Sequence, residues 1–388
     1  MTPTRSPGRA VVILFVVVLA LLAACTTTSG PDTAPAQPTY PAPAPGPAPE
    51  PSGPVLHVDP GGTDEGPGTA QRPFRTIAAA SRAAGPGTTV VVADGTYTGA
   101  FSTRASGTAE ARLTYVAANK WGARLVGDGA VADDGVDAVW RNYGDYVDVR
   151  GFDISGTTTD GYIETGSWSR ILENHVHGFS EGTCVSTYRK EYTLHDIDII
   201  GNVVHDCGNS ALDHGIYPGH PRGTISNNIS YGNAGFGIHC WHNCNELVIT
   251  NNLVFRNGEG GILVGQGDGP NDGAVPADNM VVANNIAYDN SGFGIRESGA
   301  TGGGNLYLNN TVAANGQDGL DLAAGSESGT LTVDPGFVDY EQDGSGDYRV
   351  LPVSPMVDAG TEEGAPPFDI DGVNRPQGGN VDIGVYER

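Results

Sequence analysis

Between Asp213 and His242 the sequence gathers side chains that move protons and bind anions. His214, His220, His239 and His242 fall in this stretch, with Tyr217, Arg222 and Trp241 among them. Imidazole changes charge near neutrality, so such groups can take or give a proton at a reacting atom. His214 or His239 suits a general base and Tyr217 a general acid. Asp213 offers a carboxylate for the rival chemistry, in which two carboxylates share the work; Glu297 and Asp321 are its available partners. Arg222 and Arg296 carry planar forks that fit a carboxylate, and Arg189 and Lys190 extend the basic edge. Trp241 presents a flat face for stacking. The four histidines could also hold a transition metal, but they lack a compact ligand spacing.

The whole chain is acidic, with 20 Lys plus Arg against 45 Asp plus Glu and a formal charge of −25. Nucleic-acid binding is therefore not expected, because phosphate contacts need clustered basic residues. A local basic cleft would still accept an anionic polymer. Among the 388 residues are 58 Gly and 26 Pro, a composition that excludes a helical bundle.

What positions these residues is a repeat. An apolar-x-polar-Asn pattern recurs with its Asn at 174, 202, 228, 252, 285 and 310, at spacings of 28, 26, 24, 33 and 25 residues. Gly237-Ile238, Gly261-Ile262, Gly294-Ile295 and Gly319-Leu320 each begin nine residues after their Asn. Short apolar alternations punctuated by Gly and Asn read as strands. One such unit per turn predicts an all-β solenoid, a right-handed parallel β-helix with an internal Asn ladder. Phe74, Ile77, Ala78, Ser81 and Ala84 lie at helical spacing and predict a short N-terminal capping helix. The expected division is a cap over 55–100, coils over about 101–332 and a closing segment over 333–388.

After Asn202 the Gly-Ile mark falls thirteen residues on, at Gly215-Ile216, which places a four-residue insertion just before it. Taking the Ile as inward, three outward columns follow. The first is Val185, Tyr217, His239, Leu263, Arg296 and Asp321. The second is Thr187, Gly219, Trp241, Gly265 and Ser298, and the third is Tyr188, His220, His242 and Gln266. Tyr217 is thus expected beside His239, and His220 beside His242.

The first 25 residues carry Arg5 and Arg9, an apolar run from Val11 to Leu22, and Leu22-Ala23-Ala24-Cys25. This sequence resembles a bacterial lipoprotein signal and implies export with lipidation of Cys25. Residues 26–54 contain ten Pro and predict an extended stalk. Cys184, Cys207, Cys240 and Cys244 remain, an even number that favours disulfides in an exported chain; sequence proximity pairs 184 with 207 and 240 with 244. Asp268, Asp272 and Asp278 crowd an oxygen-rich loop that could take Ca2+. A monomer is expected.

The stretches Val58-Asp59-Pro60, Arg72-Pro73-Phe74-Arg75-Thr76-Ile77 and Asp94-Gly95-Thr96-Tyr97 resemble the N-terminal part of secreted bacterial pectate-lyase-like β-helix proteins. Asp334-Pro335-Gly336-Phe337, Leu351-Pro352-Val353-Ser354-Pro355 and Val381-Asp382-Ile383-Gly384 are similar to their C-terminal part. The resemblance, nearest to the family 9 polysaccharide lyases, implies a polysaccharide partner and an activity among lyases, uronan epimerases, glycoside hydrolases and non-catalytic glycan binders. The lysine base and aspartate calcium cluster of the family 9 lyases have no counterpart placed on this sequence. For a uronic-acid polymer, β-elimination needs a base at C5, neutralisation of the carboxylate and an acid at the leaving oxygen. The residues around the insertion include all three types.

Overall fold

The computed structural model describes residues 52–388 except 132–134, 136, 158–159, 189–190, 269–274 and 318. The signal segment, most of the stalk, Cys25, Arg189, Lys190 and Asp272 therefore lie outside the described residues. Among the described residues, no helix is long and apolar enough to cross a membrane.

Three parallel sheets run the length of the domain. Sheet one has eleven strands, from Val55–Val58 to Ser326–Ser328. Sheet two has nine, from Gly95–Thr98 to Thr311–Ala313, and sheet three nine, from Phe101–Thr103 to Leu320–Asp321. Nine coils contribute one strand to each sheet, and the first and last strands of sheet one flank them, which is the right-handed parallel β-helix expected from the repeat. The strands are short because each coil is short, and their inward positions are mostly filled by Ile, Val or Leu, with Trp140, Tyr162 and Tyr307 among the larger side chains. Ile199, Ile225, Ile249 and Val282 stack in register on sheet one and are fully buried.

The Asn column is the ladder the spacing predicts. Asn174, Asn202, Asn228, Asn252, Asn285 and Asn310 are all fully buried. Each side-chain amide donates to the next residue's Oδ1, at 2.9–3.2 Å. A second, unpredicted ladder lies five residues further along each coil. Asn233, Asn257, Asn290 and Asn315 are joined in the same way at 2.9–3.0 Å. In the Asn202 coil this position is Cys207, whose amide N–H donates to Asn233 at 3.2 Å and whose sulfur bonds Cys184.

The Asn-Asn pairs have a divided use. Asn227, Asn251, Asn284 and Asn309 take positive φ between 49° and 55°, a conformation Asn tolerates better than most residues. Their side chains leave the core and donate to carbonyls of the C-terminal segment: Phe368, Asp382 and Gly384, Thr361, and Ala359 respectively. That segment therefore does not simply close the far end, as expected. It folds back along the outer face of sheet two, where Phe337, Tyr348, Val350, Met356, Ile383 and Val385 cover Ile229, Tyr231, Leu253, Phe255 and Ile286. The physical reason is that these outward positions are apolar and would otherwise face water.

The capping helix is present as Ile77–Ala83, N-capped by the Thr76 side chain at 3.1 Å from the Ala79 amide. Its buried face is Ile77, Ala79, Ala80 and Ser81 rather than the predicted stripe through Ala78. Strands of sheets one and two already begin within residues 55–98, so the cap region is itself part of the solenoid.

Candidate functional site

The outer face of sheet three carries the candidate residues. Its register joins Ser102, Arg141, Ile163, Ser186 and Tyr217 in one outward column. The pairing of Ile216 with Ile238 extends it to His239, and then to Leu263, Arg296 and Asp321. The predicted column is correct from Tyr217 onward. Upstream it is one residue out of phase: Val185 pairs with inward Ile216, and Ser186 holds the outward place. A one-residue slip exchanges the two faces of a strand. Thr187 shifts likewise and is buried, so Tyr188 lies against Gly219.

Two hydrogen-bonded groups meet at the centre of this face. In the first, the Tyr217 hydroxyl lies 2.8 Å from His242 Nε2, and His242 Nδ1 lies 2.6 Å from Asp268 Oδ2. The carboxylate can only accept, so Nδ1 carries the proton and Nε2 accepts from Tyr217. Tyr192 donates to the same Asp268 oxygen at 2.6 Å, and the Tyr188 ring stacks on His242 at 3.9 Å. Burial raises the Tyr217 pKa well above that of an ordinary phenol.

The second group is His214 with His239. The backbone N–H of Phe236 donates to His214 Nδ1 at 3.1 Å, so His214 Nε2 must carry the proton. That proton is donated to His239 Nδ1, which leaves His239 with an Nε2–H. Nε2 of His239 is buried and has no hydrogen-bond partner among the described residues. Burial pushes the His214 pKa down to about 4. Burial, with His214 and His242 beside it, pushes that of His239 down further. Both rings are therefore neutral at neutral pH. Neither offers a free lone pair, which corrects their assignment as base and makes His239 a hydrogen-bond donor.

Trp241 lies over Gly265 and Gly267. An ideal Cβ on Gly265 would stand 2.7 Å from the indole Cζ3, so the ring needs glycine beneath it. It is half-buried and edge-on to His239, 5.3 Å between ring centroids.

Several expected site residues are committed elsewhere. His220 is fully buried between Thr187 and the Ile197 carbonyl, at 2.6 and 3.1 Å, and does not stand beside His242. Arg222 pairs with Asp196 at 2.8 Å. Asp213 accepts from the Asn209 and Ser210 amides at 3.0 Å and shapes the inserted loop. Glu297 is buried and accepts from the Ala323, Ala324 and Gly325 amides. Cys184 and Cys207 are bonded, with Cα atoms 5.7 Å apart. Cys240 and Cys244 are buried free thiols, which corrects their expected pairing. Cys244 instead lies 3.0 Å from the Pro218 carbonyl. Of the calcium candidates, Asp268 is taken by Tyr192 and His242, and Asp278 accepts from the Asn279 and Gly304 amides. The described residues do not form a calcium cage there.

The sequence reading missed the basic upstream end of the strip. Arg141 shares the outward column with Tyr217, three strands away, or about 14 Å. Arg104 and Arg141 both lie over the Tyr143 ring, at 4.3 and 5.0 Å. Arg104 also lines a cleft of about 570 Å³ beside the capping helix. Arg296, two strands or about 10 Å beyond His239, faces Asp321 at 3.3 Å without a formed hydrogen bond. An open strip with proton-transfer groups at its middle and guanidinium groups at both ends suits a long anionic ligand better than a small molecule.

Comparison with known proteins agrees with the fold. Residues 56–328 match the family model described as Pel9A-like, right handed beta helix region. The solved pectate lyase Pel9A superimposes with a TM-score of 0.64 at 18% identity, covering 86% of this chain and 96% of that one. A rhamnogalacturonan lyase superimposes with a TM-score of 0.52 at 16% identity, covering 75% of this chain and 92% of that one. The uncharacterized protein YwoF of Bacillus subtilis (strain 168) is 44% identical over 64 residues, 16% of this chain. The chain spans only 14% of the length of that relative.

Proposed function

The chain belongs to the Pel9A-like right-handed β-helix family, and from that premise we propose that it is a polysaccharide lyase cleaving a uronic-acid polymer by β-elimination. The observation that carries this reading is the Tyr217–His242–Asp268 chain, open to the outer face of sheet three. Asp268 orients His242 so that its Nε2 lone pair faces the tyrosine hydroxyl, the logic by which a base and its orienting carboxylate activate a hydroxyl.

In the proposed reaction the C5–H bond breaks and its proton passes to the Tyr217 oxygen, while the tyrosine's own proton moves to His242 Nε2. The C5 electron pair forms the C4=C5 double bond and the C4–O bond breaks. Tyr217 then protonates the leaving oxygen and recovers its proton from His242. The Nε2–H of His239 would donate to the sugar carboxylate as charge builds on it only once the ring turns out of its buried position. Trp241 would support a sugar ring, and Arg141 and Arg296 would hold flanking uronates. Hydrolysis is less well supported, because Asp213 and Glu297 are engaged by backbone amides, which among these three candidates leaves Asp321 without a second carboxylate to share the work.

The Leu22–Cys25 motif and the Pro-rich stalk support export and a lipid anchor at Cys25. Loss of labelled palmitate incorporation in Cys25→Ser would test the anchor. The activity is tested by incubating the protein with pectate, alginate, glucuronan, hyaluronan and chondroitin, with and without calcium. A rise in the ultraviolet absorbance of unsaturated uronate is expected on at least one polymer. New reducing ends without that absorbance would make it a hydrolase. Retention on the polymer without either product would make it a binder.

A further inference from the structure

A second cluster lies on the outer face of sheet two, away from the strip. His175 and His177 belong to the strand His175–His177, and His205 ends the neighbouring strand Val203–His205, in register with His177. One ring nitrogen from each of the three lies within 4.8 Å of the others. His175 Nε2 and His205 Nε2 are 2.8 Å apart.

The carboxylates around them define which nitrogens carry protons. His175 Nδ1 lies 2.9 Å from Asp153 Oδ2, and His205 Nδ1 lies 2.8 Å from Asp206 Oδ2. Each Nδ1–H is thus drawn to a carboxylate, which turns two Nε2 lone pairs toward one another at close range. Two acceptors at that distance need a shared proton or a metal ion between them. A carboxylate holding the far nitrogen of a ligating imidazole is also the arrangement that orients histidines around a metal. The column itself does not require these residues: Tyr231 and Phe255 continue the stack beyond His205 at 4.5 and 4.8 Å. The side chains are 14–27% exposed, so an ion can reach them.

We propose that His175, His177 and His205 form a binding site for a divalent transition-metal ion of the zinc class. Imidazole nitrogen favours such ions over calcium or magnesium, and three histidines leave a fourth position open. An ion about 2.1 Å from each nitrogen needs the two Nε2 atoms about 3.4 Å apart, a small ring rotation from their present separation.

The test is calorimetric titration of the full chain, stripped by chelator, with Zn2+, alongside the visible d–d bands of Co2+. One equivalent is expected to bind, with a rise in melting temperature. His175→Gln and His205→Gln should each weaken binding by about 100-fold or more, and Asp206→Asn by about 10- to 100-fold. His239→Gln should leave it unchanged. The Asp206 side chain is 63% exposed, so Asp206→Asn remains folded and informative where a histidine variant does not. Absence of Zn2+ binding by the folded wild-type chain would overturn the proposal. So would binding that His239→Gln abolishes and His205→Gln spares.

Discussion

The Tyr217 hydroxyl and His242 Nε2 face one another at 2.8 Å although they stand on successive coils and 25 residues apart. No local motif brings them together; the stacking of one coil on the next does. His242 sits just past the end of the strand Phe236–Cys240, with a positive φ of 62° that turns its ring back toward Tyr217. Tyr217→Phe and His242→Gln should each lower kcat/KM by about 10²–10⁴-fold, the usual worth of a positioned proton-transfer group. Circular dichroism and melting should be unchanged. Full activity in both variants would move the reaction off this strip.

The binding groups should separate from the chemical ones in steady-state kinetics. Trp241→Ala and Arg296→Gln are expected to raise KM several-fold with little change in kcat, because in the proposed reaction each would touch sugar units away from the broken bond. For Arg296→Gln the effect should shrink as salt is added, since an exposed charge contact is screened. Equal effects at low and high salt would remove the ionic role.

Most of the fold was legible because its signal is local and repeated. The ladder residues Asn174 to Asn310 stand at a fixed phase of each coil, and a buried amide column tolerates no substitute that cannot both donate and accept. The site was less legible for two reasons. Phase was inferred from the Gly-Ile mark, which Val185 does not follow, so the upstream columns slipped by one residue. Partner choice was also invisible: nothing in the spacing says that Arg222 is taken by Asp196 or His220 by Thr187 and Ile197. The cluster of His175, His177 and His205 could have been found by counting three residues past each ladder Asn, which reaches both His177 and His205.

The two residues of one Asn pair should fail differently. Asn252→Ala removes an amide that donates to Ile225 and Asn285 and accepts from Asn228, all buried. It should cost about 2–4 kcal/mol in urea unfolding. Asn251→Ala releases the tail carbonyls of Asp382 and Gly384 along with the Thr250 hydroxyl and Asn284 amide that donate to Asn251, so limited proteolysis of the C-terminal segment should accelerate more than global stability falls. Equal losses in both assays would deny the division of labour.

Reduction should act through one pair of thiols. The Cys184–Cys207 bond closes a loop with a sequence separation of 23 and is expected to contribute about 3 kcal/mol. Cys240→Ser should leave the dependence of stability on reductant unchanged. A reductant effect that vanishes in Cys240→Ser instead would show that the second pair is bridged.

Stability should fall in mild acid. His214 and His220 are buried neutral, with pKa values pushed down to about 4 by burial. The unfolded chain takes up their protons near pH 6.5, before the folded protein does. The stabilisation is therefore complete above about pH 6.5 and is lost as pH falls toward 4, with each shift worth on the order of 3 kcal/mol. The melting temperature of His220→Gln, whatever its value at neutral pH, should decline less steeply across that window. An unaltered slope would remove His220 from the effect.

A stack of coils held mainly by contacts between neighbours resists a pull poorly, since each coil can be peeled from the next in turn. The Cys184–Cys207 bond crosses between two successive coils, where Cys207 replaces an asparagine of the second ladder. Tension applied at the N-terminal end would pass through this covalent stitch directly from residue 184 to residue 207 and leave the chain between them slack. The bond thereby acts as a bypass for tension, sparing the loop it closes.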